Sequence, residues 1–307
     1  MITNTVSPMA LPRSRALTDL LTDSRGTPIS ERDLKPIRHR TEAILRGWAA
    51  TIESGRKIRI DAYSLRPDRG RAQWDQAFEW SPESARRPVA LDAVRTCLAT
   101  GGTPADAVRS TIDRLVRSGS HPLAGRHTLC RWLAGLSLGA RSLVEAEAVT
   151  MATQLITAVD WTRLVNPAVG DDRTISFASS PRLFLRGRID LRTSIEVSTD
   201  RAGPVRRSAL LTVVAGRPQP TARDELGFIA LTAVLGSRAD LPIRIIGWWP
   251  QCGRALAVPV TAELLEETVD AVAIRLGSVA PGPTHPQRCD GQGHRPGLQV
   301  GEGRLAS

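Results

Sequence analysis

The feature that most constrains the fold is an almost wholly apolar strand that follows an alternating one. The stretch SALLTVVAG, residues 208–216, contains no charged side chain, whereas LFLRGRIDLRT, residues 183–193, alternates between apolar and charged positions. A strand with two apolar faces is typical of the middle of an α/β sheet, because helices cover both faces there. An alternating strand exposes one of its faces to water. The two stretches therefore predict an α/β fold with a buried central strand.

The hydrophobic periods around these strands give the order of the elements. A two-residue alternation of apolar and polar residues begins after Trp161, whereas much of the preceding sequence favours helices. After the apolar strand, residues 221–238 and 261–279 have helical patterns on either side of the strand PIRIIGWWP, residues 242–250. The order helix, β-meander, helix, strand, helix predicts a mixed central β-sheet flanked by helices, preceded by an N-terminal helical region.

Composition and periodicity divide the chain into four segments. Residues 1–30 mix Ser, Thr, Pro and Arg without a period and are expected to be a flexible arm. Residues 31–130 are expected to be mainly helical, and residues 131–278 to hold the α/β core. Residues 279–307 are rich in Pro, Gly and Gln and are expected to be disordered.

Local residues mark where several helices begin and end. Thr103, Thr221 and Thr261 are predicted N-caps, and Gly101 ends the helix that precedes Thr103. A further helix is predicted to begin at about Pro36. The longest helix is predicted to bury a stripe formed by Leu143, Ala146, Val149, Met151, Ala152 and Ile156.

Charge indicates the class of partner. Forty-one Lys and Arg residues against 31 Asp and Glu residues give a formal net charge of +10 at pH 7. Such a charge favours a polyanionic partner, and nucleic acid above all. The alternative is a basic, solvated surface that results from arginine-rich composition.

The cysteines and the apolar runs exclude other classes. The four cysteines are scattered and form no CxxC pair, which argues against a disulfide framework or a four-cysteine zinc site. His285, Cys289 and His294 have no metal-ligand spacing. No apolar run approaches 18 residues, and no leader pattern is present at the N-terminus. We therefore expect a cytoplasmic protein without a membrane partner.

Three stretches carry a resemblance to a known family: LRGRIDL, LLTVVAGRPQP and ARDELGFIALTAVLGSRADLPIRIIGWW. In this order they resemble the RecB-like branch of the PD-(D/E)XK nuclease superfamily, over roughly residues 140–278. The resemblance implies a restriction-endonuclease-like core in a bacterial protein of DNA metabolism. In that family a GRIDR-like strand supplies a metal-binding aspartate. The next strand, similar to VVDYKTGRP, supplies a second acid and a lysine.

Only one residue of this chain matches the family's catalytic set. Asp190 stands at the first acid, but Thr212 stands at the second acid and Val214 at the lysine. In the family, the helix that follows carries a Gln-x-x-x-Tyr type motif, and Glu225 and Ile229 lie near its glutamine and tyrosine positions. Mg²⁺ requires several oxygen ligands, and valine supplies neither charge nor a hydrogen bond. We therefore interpret Asp190 as a vestigial catalytic and metal-binding residue, and expect no cofactor unless activity survives with Mg²⁺ or Mn²⁺.

Arginines beside this aspartate are candidate nucleic-acid ligands. Arg186, Arg188 and Arg192 share the predicted wet face of the strand with Asp190, and Arg217 follows the apolar strand. The planar guanidinium group is suited to phosphate. The alternatives are a cross-strand ion pair that holds Asp190 ionised and a solvated strand face.

Three functions are compatible with these residues. The first is a catalytically inactive nuclease-fold protein that binds nucleic acid or acts as an accessory factor in DNA metabolism. The second is an active metal-dependent DNA nuclease with relocated groups, for which the candidates are Glu145, Glu147, Glu196, Asp200, Arg217, Asp224 and Glu225. The third is a protein-interaction scaffold, with Trp248 or Trp249 pointing outward from its strand towards a partner.

Overall fold

The computed structural model of the chain describes residues 15–26, 29–50, 58–66, 79–121, 125, 128–170, 173–177, 180–199, 203–236 and 241–279. The expectations for the beginning of the arm, for residues 280–307 and for Asp200 lie outside the described residues.

Local sequence signals explain where many of the helices begin and end. The helices are α1 (Arg15–Thr22), α2 (Glu31–Ala49), α3 (Pro82–Thr100), α4 (Pro104–Gly119), α5 (Leu129–Gly135), α6 (Leu138–Ala158), α7 (Ala222–Gly236) and α8 (Ala262–Val279). The Thr103 hydroxyl accepts a hydrogen bond from the Asp106 amide, and Gly101 ends α3 at a φ of 73°. The Thr261 hydroxyl accepts one from the Leu264 amide at 3.2 Å. The caps predicted at Thr103 and Thr261 and the stop at Gly101 are therefore confirmed.

Two predictions about helices are wrong. Helix α2 begins at Glu31 rather than near Pro36, because Ser30 forms a capping box with Asp33. The stripe predicted on α6 is wrong at Leu143, which is 51 % exposed, and right at Ala152, which is buried. The residues of α6 that are buried are Val144, Ala148, Ala152, Leu155 and Ala158. The other side of α6 is apolar as well, so periodicity alone did not select the packed face.

Two sheets form the centre of the molecule. The strands are β1 (Ile58–Asp61), β2 (Val165–Val169), β3 (Arg173–Phe177), β4 (Ser180–Gly187), β5 (Leu191–Thr199), β6 (Gly203–Val213), β7 (Pro242–Trp249) and β8 (Arg254–Pro259). The larger sheet has the order β2-β5-β6-β7-β8, and the smaller one β1-β4-β3. In the larger sheet only β6 and β7 run parallel, joined through α7. The predicted mixed central sheet flanked by helices is confirmed.

An apolar core covers each face of the larger sheet. On one face α1 and α3–α6 pack against residues such as Leu191 and Leu211. On the other face α2, α7 and α8 pack against Leu210 and Ile245, together with Leu185 of the smaller sheet. Residues on both sides of the boundary expected at 130/131 therefore contribute to the same cores. Leu210 and Leu211 are neighbours on β6 and face opposite cores, as a strand requires.

The alternating stretch is not one strand, as its pattern predicted, but two strands in different sheets. β4 ends at Gly187, β5 begins at Leu191, and residues 188–190 form a bend between them. β4 approaches α7 so closely that a Cβ on Gly187 would lie 1.9 Å from the Thr232 hydroxyl. Helix α7 is buried along most of its length, since it lies between elements of both sheets and α8. The glycine of the RGRID stretch thus has a packing role.

Both tryptophans of β7 are buried, which corrects the prediction that one points outward. Trp248 is 8 % exposed and Trp249 2 % exposed. Trp248 belongs to the core that contains α3–α6. The Trp249 ring lies over Gly247, next to Leu226 of α7. Alternation does separate the two rings, but helices and loops cover both faces of the sheet.

Part of the segment expected to be a flexible arm is packed against the core. Leu17 and Leu21 of α1 are 4 % and 0 % exposed. Thr18, also buried, accepts a hydrogen bond through its hydroxyl from the Asp160 amide at 2.8 Å. Residues 15–22 are therefore structural, with a helical stripe that anchors them.

A buried arginine fixes the turn that follows α1. Arg244 of β7 is 7 % exposed. It donates to the Leu20 carbonyl at 3.3 Å, to Asp23 Oδ2 at 2.8 Å and to the Arg25 carbonyl. A buried guanidinium group requires such partners, so this turn and β7 depend on each other.

Among the described residues, none of the helices combines the length and the apolar character that a membrane crossing requires.

Candidate functional site

Asp190 lies in the bend between β4 and β5 and is completely buried. Its Oδ1 accepts a hydrogen bond from Arg87 Nε at 2.7 Å, and its Oδ2 accepts one from the Val213 amide at 2.7 Å. Its own amide donates to the Leu211 carbonyl, and its carbonyl accepts from the Gly170 amide, both at 2.8 Å. These four bonds connect the bend with α3, with β6 and with the loop after β2.

This environment corrects the expectation that Asp190 lies on a wet face, and it adds an ion-pair partner from another element. The residue is not on a wet strand face, because the bend turns it away from the strand pattern and α3 covers it. An arginine from another element, Arg87 of α3, forms an ion pair with it at 2.7 Å. The Arg87 side chain is 16 % exposed, so the pair is largely removed from water. In such surroundings a carboxylate is stable only when it is paired and hydrogen-bonded.

The positions that correspond to the family's second acid and lysine lie next to this aspartate. Thr212 is 5 % exposed, and Val214, directly after β6, is partly buried. Val213, between them, supplies the amide that binds Asp190. Neither neighbouring side chain can replace a carboxylate or an ammonium group.

The site therefore does not fit a catalytic Mg²⁺ or Mn²⁺ ion. Both carboxylate oxygens of Asp190 already accept short hydrogen bonds, one of them from a cation. A hard divalent ion requires several accessible oxygen ligands. Across the described ranges, no group of three or more His, Cys, Asp or Glu residues is placed to hold a metal ion.

The acids that are candidates for a relocated metal site lie far apart or form ion pairs with arginines. Glu145 and Glu147 of α6 pair with Arg109 and Arg86, each at 3.5 Å. Glu225 of α7 accepts two hydrogen bonds from Arg66, at 2.7 and 3.2 Å. These acids thus neutralise arginines of other elements.

Two further acids lie apart from Asp190. Glu196 is exposed on β5, six residues along the chain from Asp190, opposite Arg206 of β6. Asp224 is in the first turn of α7, where burial raises the pKa of its carboxyl. Among the described residues, neither acid forms a hydrogen bond with Asp190 or Arg87.

The arginines of the alternating stretch do not form a free basic face. Arg186 is on β4, Arg188 in the bend and Arg192 on β5, so they belong to three different parts of the fold. All three are partly buried, and each already has an interaction partner within the fold. Arg217, in the loop after β6, is exposed and has no ion-pair partner in the described part of the chain. It is the predicted nucleic-acid ligand best placed to meet a phosphate.

A cleft of about 450 Å³ lies beside this loop, at the carboxyl ends of the parallel strands β6 and β7. Its side chains come from the turn after β1, from the start of α3, and from the loops after β6 and β7. They include Tyr63, Arg66, Glu83, Arg86, Arg217 and Gln251. Arg86 of the cleft and Arg87 of the Asp190 pair are consecutive on α3, which connects the two sites.

No motif or period in the sequence singles out Arg66, Arg86 or Arg87. Arg87 is 103 residues from Asp190 along the chain, and Arg66 is 159 residues from Glu225. In the helix that contains Arg86 and Arg87, two adjacent arginines are ordinary surface residues by pattern. Only the packing of α3 against the sheet brings them to the site.

Comparison with known proteins does not assign this chain to a family. No known family model matches this chain, and no curated protein matches its sequence. The RecB-like resemblance therefore stays a prediction, and the function has to be inferred from the site itself.

Proposed function

We propose that this chain is a degenerate nuclease-fold protein that has lost metal-dependent cleavage and binds nucleic acid through arginines. The observation that carries the proposal is the burial of Asp190, together with the hydrogen bonds that both of its carboxylate oxygens accept. The one acid that matches the family pattern is completely buried and bonded to Arg87 and to the Val213 amide.

The order of elements supports a restriction-endonuclease-like core as part of this proposal. Helix α6 precedes the antiparallel strands β2, β5 and β6, and α7 then leads to β7, parallel to β6. The hairpin of β3 and β4 is inserted between β2 and β5. Asp190, directly before β5, accepts a hydrogen bond from the Val213 amide at the end of β6, between the two residues that the resemblance aligns with the second acid and the lysine.

The same geometry explains why cleavage should be absent. Phosphodiester hydrolysis in this class depends on a metal ion that polarises the phosphate and activates water. Here the cation next to the carboxylate is the guanidinium group of Arg87. Arg87 neutralises Asp190 but cannot activate water, so its presence stabilises the fold at the expense of the reaction.

Binding is supported by charge rather than by a base-reading motif. The formal net charge is +10, and Arg217 presents an exposed guanidinium group at the edge of the cleft. Contacts of this kind release counterions from nucleic acid, so affinity falls steeply with salt. We expect single- and double-stranded DNA to bind with little dependence on sequence.

Fluorescence anisotropy with labelled DNA across a salt series tests the binding. The wild-type protein should bind at low salt, with log K decreasing linearly as log salt concentration rises. Arg217→Ala should weaken binding and reduce the slope by about 1, as expected for one lost phosphate contact. Arg117→Ala is the matched control, because Arg117 is exposed on α4, which contributes nothing to the cleft. Absence of binding at low salt would remove the proposal.

An incubation with Mg²⁺ or Mn²⁺ and labelled DNA tests the loss of catalysis. We expect no cleavage by the wild-type protein. Metal-dependent cleavage that disappears in a folded Asp190→Asn variant would show that the aspartate is catalytic.

A further inference from the structure

We propose that the cleft beside β6 and β7 is a binding site for a nucleoside monophosphate group, either as a free nucleotide or as the phosphorylated end of a strand. This inference goes beyond the proposed function, because it concerns a discrete pocket and not the general attraction of DNA to a basic protein. Four features of the cleft support it.

The first feature is position and size. In open α/β sheets, ligands bind in the crevice outside the carboxyl ends of the strands. The loops that follow the parallel strands β6 and β7 both line this cleft, and the Gly216 amide of one loop donates to Gln251 Oε1 of the other at 2.9 Å. The volume of about 450 Å³ is within the range of pockets that hold small ligands.

The second feature is an exposed cation, Arg217, in the same cleft as a paired one, Arg86. Arg86 is 24 % exposed and forms ion pairs with Glu147 and Glu83 at 3.5 and 3.6 Å. Arg217 is exposed without an ion-pair partner in the described ranges. The exposed guanidinium group of Arg217 at the edge of the cleft is suited to a phosphate group.

The third feature is a planar surface. The Arg66 guanidinium lies 4.3 Å from the centroid of the Tyr63 ring and is held there by its two hydrogen bonds to Glu225. Tyr63 remains 40 % exposed. Bases stack on such aromatic and guanidinium surfaces.

The fourth feature is the polarity of the remaining wall. Because Gln251 accepts from Gly216 through its oxygen, its amide nitrogen can donate to a ligand. Gln219 adds a second amide to the lining. Three arginines and two glutamates line the cleft and leave it with a net charge of +1. This charge favours a monophosphate over a polyphosphate, which the glutamates would repel.

Isothermal titration calorimetry of the full chain with AMP, GMP, CMP and UMP tests the site. At least one of the four nucleotides should bind at least about tenfold more tightly than adenosine or inorganic phosphate alone. A tenfold difference in affinity corresponds to about 1.4 kcal/mol of binding free energy. Arg217→Gln and Tyr63→Leu should each weaken binding severalfold, while Arg117→Gln should leave it unchanged. Both cleft residues are exposed, so their variants should fold, which circular dichroism verifies.

A competing oligonucleotide distinguishes the two sources of the ligand. Displacement of the nucleotide by a 5′-phosphorylated strand, but not by its unphosphorylated copy, assigns the site to a strand end. Lack of displacement by either strand assigns it to a free nucleotide. Failure of all four nucleotides to bind, or equal affinities of the wild-type and Arg217→Gln proteins, would overturn the inference. Neither failure would affect the DNA-binding proposal, which is tested by the salt series.

Discussion

At the scale of single residues, the GRID stretch acquires structural roles that its sequence does not show. Gly187 permits contact between β4 and α7, and Asp190 connects three elements through four hydrogen bonds. A buried carboxylate that binds a buried guanidinium group is costly to break, because the remaining charge is left without a partner. Retention of the aspartate therefore does not require retention of catalysis.

This role predicts a large loss of stability when either partner of the pair is removed. Asp190→Ala and Arg87→Ala should each lower the free energy of unfolding by about 3–5 kcal/mol. The double variant should lose less than the sum of the two, because neither charge is then left alone. Denaturant unfolding measures all three variants. Glu42→Ala is the control: its ion pair with Arg46 is exposed, so the loss should be below about 1 kcal/mol. Additive losses would contradict the pairing.

How much of the site could be predicted depends on the distance over which each interaction acts. Caps at Thr103 and Thr261 use neighbouring residues and were correctly predicted. Asp190 was singled out, but its burial and its partner Arg87 depend on the packing of α3. A two-residue period carries no information about a bend such as residues 188–190, which interrupts it. Interactions between neighbouring residues can therefore be predicted from the sequence, whereas pairs of residues far apart in the chain cannot.

At the scale of elements, close contacts between backbones decide how β4 and α7 fit together. Gly187→Ala would place a Cβ 1.9 Å from the Thr232 hydroxyl and 3.4 Å from the Ile229 carbonyl. We expect a loss of about 1–3 kcal/mol of stability from this overpacking. Gly47→Ala in α2 is the matched control, since nothing lies within 4 Å of its Cβ position, and it should gain about 0.5–1 kcal/mol. Thermal unfolding compares the two; an equal gain in both would show that β4 and α7 are not in close contact.

The connection between α1 and β7 should make stability depend on acid. Hydrogen bonds from Arg25 and Arg244 hold the pKa of Asp23 well below its usual range, although partial burial opposes them. Because the folded pKa lies below the unfolded value of about 3.9, the contribution of Asp23 is fully present above that value. It is lost as pH falls through the folded pKa. Urea unfolding at a series of pH values below about 5 should therefore show a smaller acid-induced loss for Asp23→Asn than for the wild-type protein. Parallel curves would refute this role of Asp23.

At the scale of the whole molecule, the larger sheet packs against two apolar cores, one on each of its faces. Helices from residues 31–130 occur in both, α3 and α4 on one face and α2 on the other. Repeated packing across the expected boundary at 130/131 favours one cooperative unit over two independent domains. The hydrophobic period predicted where helices give way to strands, but it could not show that the early helices cover the later sheet. That arrangement results from long-range contacts.

Neighbouring leucines on β6 offer a direct test of this cooperativity. Leu210 and Leu211 are 1 % and 0 % exposed and belong to opposite cores. Substitution of either by alanine should cost about 2–5 kcal/mol. Guanidinium unfolding followed by circular dichroism and by tryptophan fluorescence should show one transition in both variants, shifted equally for the two probes. Trp132 packs on one core and Trp48 on the other, so fluorescence reports on both. Two separate transitions in either variant would mean that the cores unfold separately.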